Sequence, residues 1–190
     1  MSGIGNNIMS LSNFLWFLIF AVVLFGGMTS CGFNNSENIE PILEKPTSSV
    51  VRQATVGNLA PEFELAKLDG TTVSFQDLQG EPAVIVFWTA WCPSCKEEAP
   101  EINRLAANFG GKGLRVLGIN IGEGEARVRE GIKDFGIEYD VVRDADASVA
   151  KRYGVIGTPT IVFLDRDGIT RYVGNELPSD YAARLNAVIN

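Results

Sequence analysis

Six apolar residues run without interruption at positions 83–88 (AVIVFW), and four residues beyond them the chain reaches the first of two cysteines in the stretch WCPSC at 91–95. A strand with one wet face alternates apolar and polar side chains, so an unbroken run of this kind reads as a strand covered on both faces. A helix is expected to follow it. Pro93 suits a first helical turn, where the N–H it lacks would have no partner, and it keeps Cys92 out of helical geometry. The helical pattern then continues over 94–109. Cys92 is thereby expected where a buried strand gives way to a helix.

The rest of the pattern alternates in the same way. Residues 63–68 and 71–75 flank Asp69-Gly70, a hairpin signal of the kind in which both turn residues take positive φ. Two further strand candidates are 114–121 and 160–164, and helical patterns occupy 125–135, 147–153 and 179–189. Strands alternating with helices imply an α/β sheet covered on both sides. There is no internal repeat.

Ahead of this part the chain is different. No charged side chain precedes Glu37, and residues 14–25 (FLWFLIFAVVLF) are apolar throughout. The uncharged stretch 8–28 approaches the roughly 20 residues that span a bilayer as a helix. Met28-Thr29-Ser30-Cys31 loosely resembles a lipobox, in which the cysteine is lipidated, although the n-region has no Lys or Arg. Residues 1–31 therefore read as a membrane anchor or lipoprotein-type signal segment. An uncleaved anchor, a lipoprotein signal and an ordinary cleaved signal all fit, and a buried core helix is the bland alternative. The first basic residue is Lys45, so the positive-inside rule gives no orientation. Residues 32–56, rich in Asn, Ser, Glu and Pro, read as a polar linker, and 57–190 as the folded domain.

Composition removes several function classes. The net charge of −7 lacks the basic footprint of a nucleic-acid binder, so no nucleic acid is expected as a partner. The chain contains no histidine, which excludes Ser-His and Cys-His nucleophile activation. A structural zinc site would need two more Cys or His ligands beside Cys92 and Cys95, and only the distant Cys31 exists, so no metal is expected.

What remains is the cysteine pair. Helix N-termini carry unpaired N–H groups and a partial positive charge that favour a thiolate over a thiol. Cys92, just ahead of the helix, receives that help and is the expected nucleophile and the more exposed sulfur. Cys95 follows three residues later on the same face, where it can resolve a mixed disulfide formed at Cys92. Trp88 and Trp91 flank the pair, and Trp91 and Pro93 are the expected substrate-facing rim. Glu98 lies three residues beyond Cys95 on the inward-turned face, a carboxyl placed to take the proton of Cys95; an exposed first-turn carboxylate favoured by the helix dipole is the competing reading. Pro100 predicts a kink. Gly157-Thr158-Pro159-Thr160, just ahead of the 160–164 strand, makes Pro159 a candidate for a cis bond.

The run FWTAWCPSCKEEAP at 87–100, with GTPT at 157–160 and FLDRDG at 163–168, resembles the membrane-anchored thioredoxin-like proteins of the TlpA and ResA group over about residues 57–190. The resemblance implies a thioredoxin-like fold with an N-terminal β-hairpin and a central insertion, which fits 123–146. It implies a cis Pro159 beside the disulfide, a Thr158 backbone presented to a bound client chain, and proton handling by Glu98. Where plain thioredoxin has a buried Asp under the site, this chain has Val86. The implied function is a thiol:disulfide oxidoreductase that reduces exported proteins, apocytochrome c among them, and is re-reduced by a membrane electron donor. It would be held to the membrane through the N-terminus, with the catalytic domain on the extracytoplasmic side and no cofactor beyond the cysteines.

Two other readings compete. Thr89-Ala90-Trp91-Cys92 fits the T-x-x-C part of a peroxiredoxin site, which would make the protein a thiol peroxidase using Cys92, although Ile85 stands where that motif has proline. A non-catalytic module that only binds a partner is the third.

Overall fold

The computed structural model describes residues 53–190. The expected anchor segment and nearly all of the expected linker lie outside the described residues. Among the described residues no helix is long and apolar enough to cross a membrane.

The run at 83–88 forms β3 (Ala83–Trp88), and every one of its side chains is buried. The sheet has seven strands in the order β2-β1-β5-β4-β3-β6-β7. Beside β3 lie the parallel β4 (Arg115–Ile121) and the antiparallel β6 (Thr160–Leu164), and β5 (Asp140–Asp144) extends the parallel part. The hairpin β1 (Glu64–Lys67) and β2 (Thr72–Ser74) closes one edge, and β7 (Thr170–Gly174) the other.

The pleat of β3 divides the core in two, as alternating side chains must. Val84 and Val86 pack with Ile102 and Leu105 of α1 (Pro93–Gly110) and Leu185 of α4 (Tyr181–Ile189). Trp88, on the same face, meets Val128 and Phe135 of α2 (Glu125–Phe135). Ile85 and Phe87 point the other way, to Phe63, Phe75 and the residues of α3 (Ser148–Tyr153). Helices thus cover both faces, and the fold is the expected thioredoxin-like α/β arrangement with its hairpin and an insertion folded as α2 and β5.

Two details depart from the sequence reading. Strands β5 (DVVRD) and β7 (TRYVG) were not anticipated, because each is short and interrupted by charge or glycine. In β5 the final Asp144 is fully buried; its carboxylate accepts from the N–H groups of Val149 and Ala150 and so starts α3. The hairpin turn is also one residue longer than expected. Gly70 N–H donates to Lys67 O at 3.2 Å, Lys67 N–H to Thr71 O at 2.7 Å, and Gly70 alone of the Asp-Gly pair has positive φ, at 86°. That is a three-residue loop in which the glycine supplies the bulge. Pro100 lies inside α1, which runs on to Gly110 as the helical pattern over 94–109 implied, because Ile102, Leu105 and Phe109 are buried beyond it.

Candidate active site

Both ends of the exit from β3 are fixed. Cys92 has extended backbone (φ −89°, ψ 110°) and caps α1, its Sγ accepting from the Cys95 N–H at 3.1 Å. The Cys92 N–H donates to Thr89 O at 3.2 Å, which closes the turn between strand and helix. Cys92 and Cys95 are joined by a disulfide with their Cα atoms 5.3 Å apart. A donor aimed at the Cys92 sulfur favours its anionic form once the disulfide is reduced.

The Thr158-Pro159 bond is cis, and Thr158 O lies 3.2 Å from Cys92 Sγ. In the disulfide that sulfur has no proton to give; as a thiol it can donate to this carbonyl. The loop is itself braced. Thr160 Oγ1 donates to Gly157 O at 2.7 Å, and Asn175 Nδ2 donates to Pro159 O at 2.8 Å.

One expectation fails here. Cys92 and Cys95 are almost equally buried, at 4% and 5% exposure, so exposure does not single out Cys92. The Thr158 carbonyl and the disulfide bond itself cover the sulfur that a free helix N-terminus would have left open.

The remaining predicted residues fall on two sides of the disulfide. Trp91 is 68% exposed and Pro93 is also at the surface. Beside them runs an open groove of about 530 Å³ lined by Trp91, Ile121, Lys151, Val155, Ile156 and Thr158. Beneath the disulfide a closed space of about 10 Å³ lies among Cys95, Glu98, Val86, Trp88, Tyr139 and Pro159. Glu98 is half-buried, and its Oε1 accepts from the Leu177 N–H at 2.8 Å. Glu98 is the one carboxylate lining that space, and burial pushes the Tyr139 phenol up from its already high value, so it stays protonated near neutral pH. Trp88 is core rather than rim: it is 1% exposed, and its Nε1 has no hydrogen-bond partner.

Sequence reasoning passed over Glu123 and Asn175. Glu123 had a signal, since it sits just past the C-terminal end of a parallel strand, the end of the sheet at which α/β proteins gather their functional groups. A lone loop Asn like Asn175 offers none.

The AhpC/TSA family model matches residues 56–173. The chain is 30% identical over 113 residues to the thiol-disulfide oxidoreductase ResA of Bacillus thuringiensis subsp. konkukian, an alignment that takes in 60% of this chain and 65% of that relative, just under two thirds of its length. With ResA of Geobacillus thermodenitrificans the identity is 33% over 135 residues, covering 70% of this chain and 78% of the relative. A secreted Mycobacterium tuberculosis disulfide oxidoreductase, described as homologous to Escherichia coli DsbE, superposes with a TM-score of 0.56 at 29% identity, covering 67% of this chain and 93% of that one.

Proposed function

The chain belongs to the AhpC/TSA family and groups with the ResA thiol-disulfide oxidoreductases, and on that premise we propose that it reduces disulfides of exported proteins through Cys92 and Cys95. The observation that carries this is the Cys92–Cys95 disulfide at the N-terminus of α1, with the Thr158 carbonyl 3.2 Å from Cys92 Sγ.

In the reduced protein the Cys92 thiolate attacks one sulfur of a client disulfide. The client S–S bond breaks, one client sulfur leaves as a thiolate, and a mixed disulfide remains. Cys95 then loses its proton and attacks Cys92 Sγ; the second client sulfur leaves and takes up a proton, and the Cys92–Cys95 disulfide forms. Two electrons have passed from the dithiol to the client. Glu98, lining the space beneath Cys95, accepts the proton of the resolving thiol. Trp91, Pro93, Thr158 and Pro159 contact the client chain, apocytochrome c among the candidates, and a membrane electron donor returns the pair to the dithiol.

The catalytic domain works on the extracytoplasmic side, tethered through the N-terminal segment. The uncharged stretch 8–28 supports the tether, and the secreted relative supports the compartment. Turnover of insulin disulfides that disappears in Cys92→Ser tests the reading directly. Peroxidase activity is the second reading, favoured by the AhpC/TSA match and by Thr89 three residues before Cys92. Peroxide consumption that persists in Cys95→Ser and is lost in Cys92→Ser would replace the first reading by the second.

A further inference from the structure

The paired ladder between β3 and β4 ends at Trp88 opposite Asn120. The chain then has to leave the sheet and turn into α1 within four residues, through Thr89, Ala90 and Trp91. Thr89 is 5% exposed and Ala90 is 9% exposed, so the Ala90 N–H, two residues past the ladder, needs an acceptor that water does not supply. Glu123 provides it. Its Oε2 accepts from the Ala90 N–H at 2.7 Å and from Asn120 Nδ2 at 2.7 Å, and its side chain is only 10% exposed. The other side of Ala90 is held as well, because Arg127 Nη2 donates to Ala90 O at 3.4 Å while Arg127 Nε lies 3.9 Å from Glu123 Oε1. One turn further along α2, Gly131 allows the helix to lie directly on this turn: a Cβ there would stand 2.7 Å from Ala90 Cβ and 2.9 Å from the Trp88 ring.

We infer that Glu123 is a positioning residue for the attacking sulfur: its carboxylate terminates the β3–β4 ladder and, with Arg127, fixes the Ala90 peptide two residues ahead of Cys92. The inference rests on the reading of Cys92 as nucleophile. The Glu123 oxygen reaches both donors at hydrogen-bond distance, and a reacting group displaced by about 1 Å loses rate steeply. The insertion that carries α2 thereby holds the redox turn from outside the helix that bears the cysteines.

Both hydrogen bonds converge on a single oxygen, so the test separates reach from charge. Glu123→Gln keeps one acceptor oxygen at the same distance without the charge, whereas Glu123→Asp keeps the charge and falls one methylene short. In the full-length protein three quantities are measured: the rate of insulin disulfide reduction, the pH profile of Cys92 alkylation by iodoacetamide after reduction, and the thermal midpoint. Glu123→Asp and Glu123→Ala are expected to slow insulin reduction about tenfold and to displace the alkylation profile, while Glu123→Gln stays within about twofold of wild type. Wild-type rates and profiles in Glu123→Asp overturn the inference, even if the midpoint falls, because the residue is then only structural. A Glu123→Gln variant as impaired as Glu123→Asp overturns it too, since charge rather than reach would then matter. If Glu123→Ala does not fold, the Asp and Gln pair decides. A wild-type protein without insulin-reducing activity would sink the reading of Cys92 as the client-attacking sulfur, and the alkylation profiles would still judge Glu123.

Discussion

Cys92 and Cys95 are bonded to each other and equally buried, yet their surroundings are opposites. Beside Cys92 lies an open groove of about 530 Å³ with an exposed indole and a 98% exposed Ile156 on its walls. Beside Cys95 lies a closed space of about 10 Å³, roughly room for one water, with a single carboxylate on its lining. Thiol exchange with a large client asks for this asymmetry. One sulfur must be approachable along a path a polypeptide can follow, and the other need only be reached by its partner sulfur and a proton. The burial of the two sulfurs therefore says little about their roles; what borders them says more.

The strongest way to break this comparison is to remove each sulfur in turn. Cys92→Ser is expected to lower insulin reduction at least about a thousandfold, to background. Cys95→Ser is expected to be as inactive in turnover but to accumulate a mixed disulfide with the client, visible on a non-reducing gel. In the reduced wild-type protein iodoacetamide should label Cys92 first, because the groove side is open and the Cys95 N–H supports its thiolate. Faster labelling of Cys95, or trapping by Cys92→Ser instead, would exchange the two roles.

A smaller effect probes the closed side. Glu98→Gln can still accept the Leu177 N–H, so the fold and the disulfide should survive. Loss of the proton acceptor is expected to slow release of the client thiol by about ten- to a hundredfold and to flatten its pH dependence. A rate equal to wild type across roughly pH 5 to 8 would hand the proton to water near Cys95.

These tests bear on what sequence alone made legible. The two-sided burial of β3 and the placement of Cys92 at the head of α1 followed from six apolar residues and Pro93. The resemblance to the TlpA and ResA group supplied the cis Pro159 and its place beside the disulfide. The strands β5 and β7 escaped because short strands carrying charge have no periodicity of their own; tertiary packing makes them. Glu123 escaped for a related reason. Its task depends on where the β3–β4 pairing stops, and pairing register is not written in either strand by itself. The exposure of Cys92 was misjudged because the covering group is a carbonyl from a loop 66 residues away.

The mildest prediction concerns the open side. Ile156 makes so little contact with the rest of the protein that Ile156→Ser should leave the thermal midpoint unchanged. If the groove carries client chain, however, the substitution removes apolar surface that a bound client would cover. Fully burying an isoleucine side chain is worth about 1.5–3 kcal/mol, and partial cover on a groove wall should return a fraction of that, a loss of about three- to tenfold in kcat/KM on a protein client. Trp91→Ala should act in the same direction, with a larger effect, because its indole is bigger and borders the Cys92 turn directly. A small disulfide such as hydroxyethyl disulfide does not extend along the groove, so its reduction rate should be unaffected by Ile156→Ser. Equal losses on the small and the protein substrate would mean that Ile156 acts through the cysteine site rather than through contact with a client. No loss on either would leave the groove without a part in client capture, and the asymmetry around the disulfide would then reduce to the closed side alone.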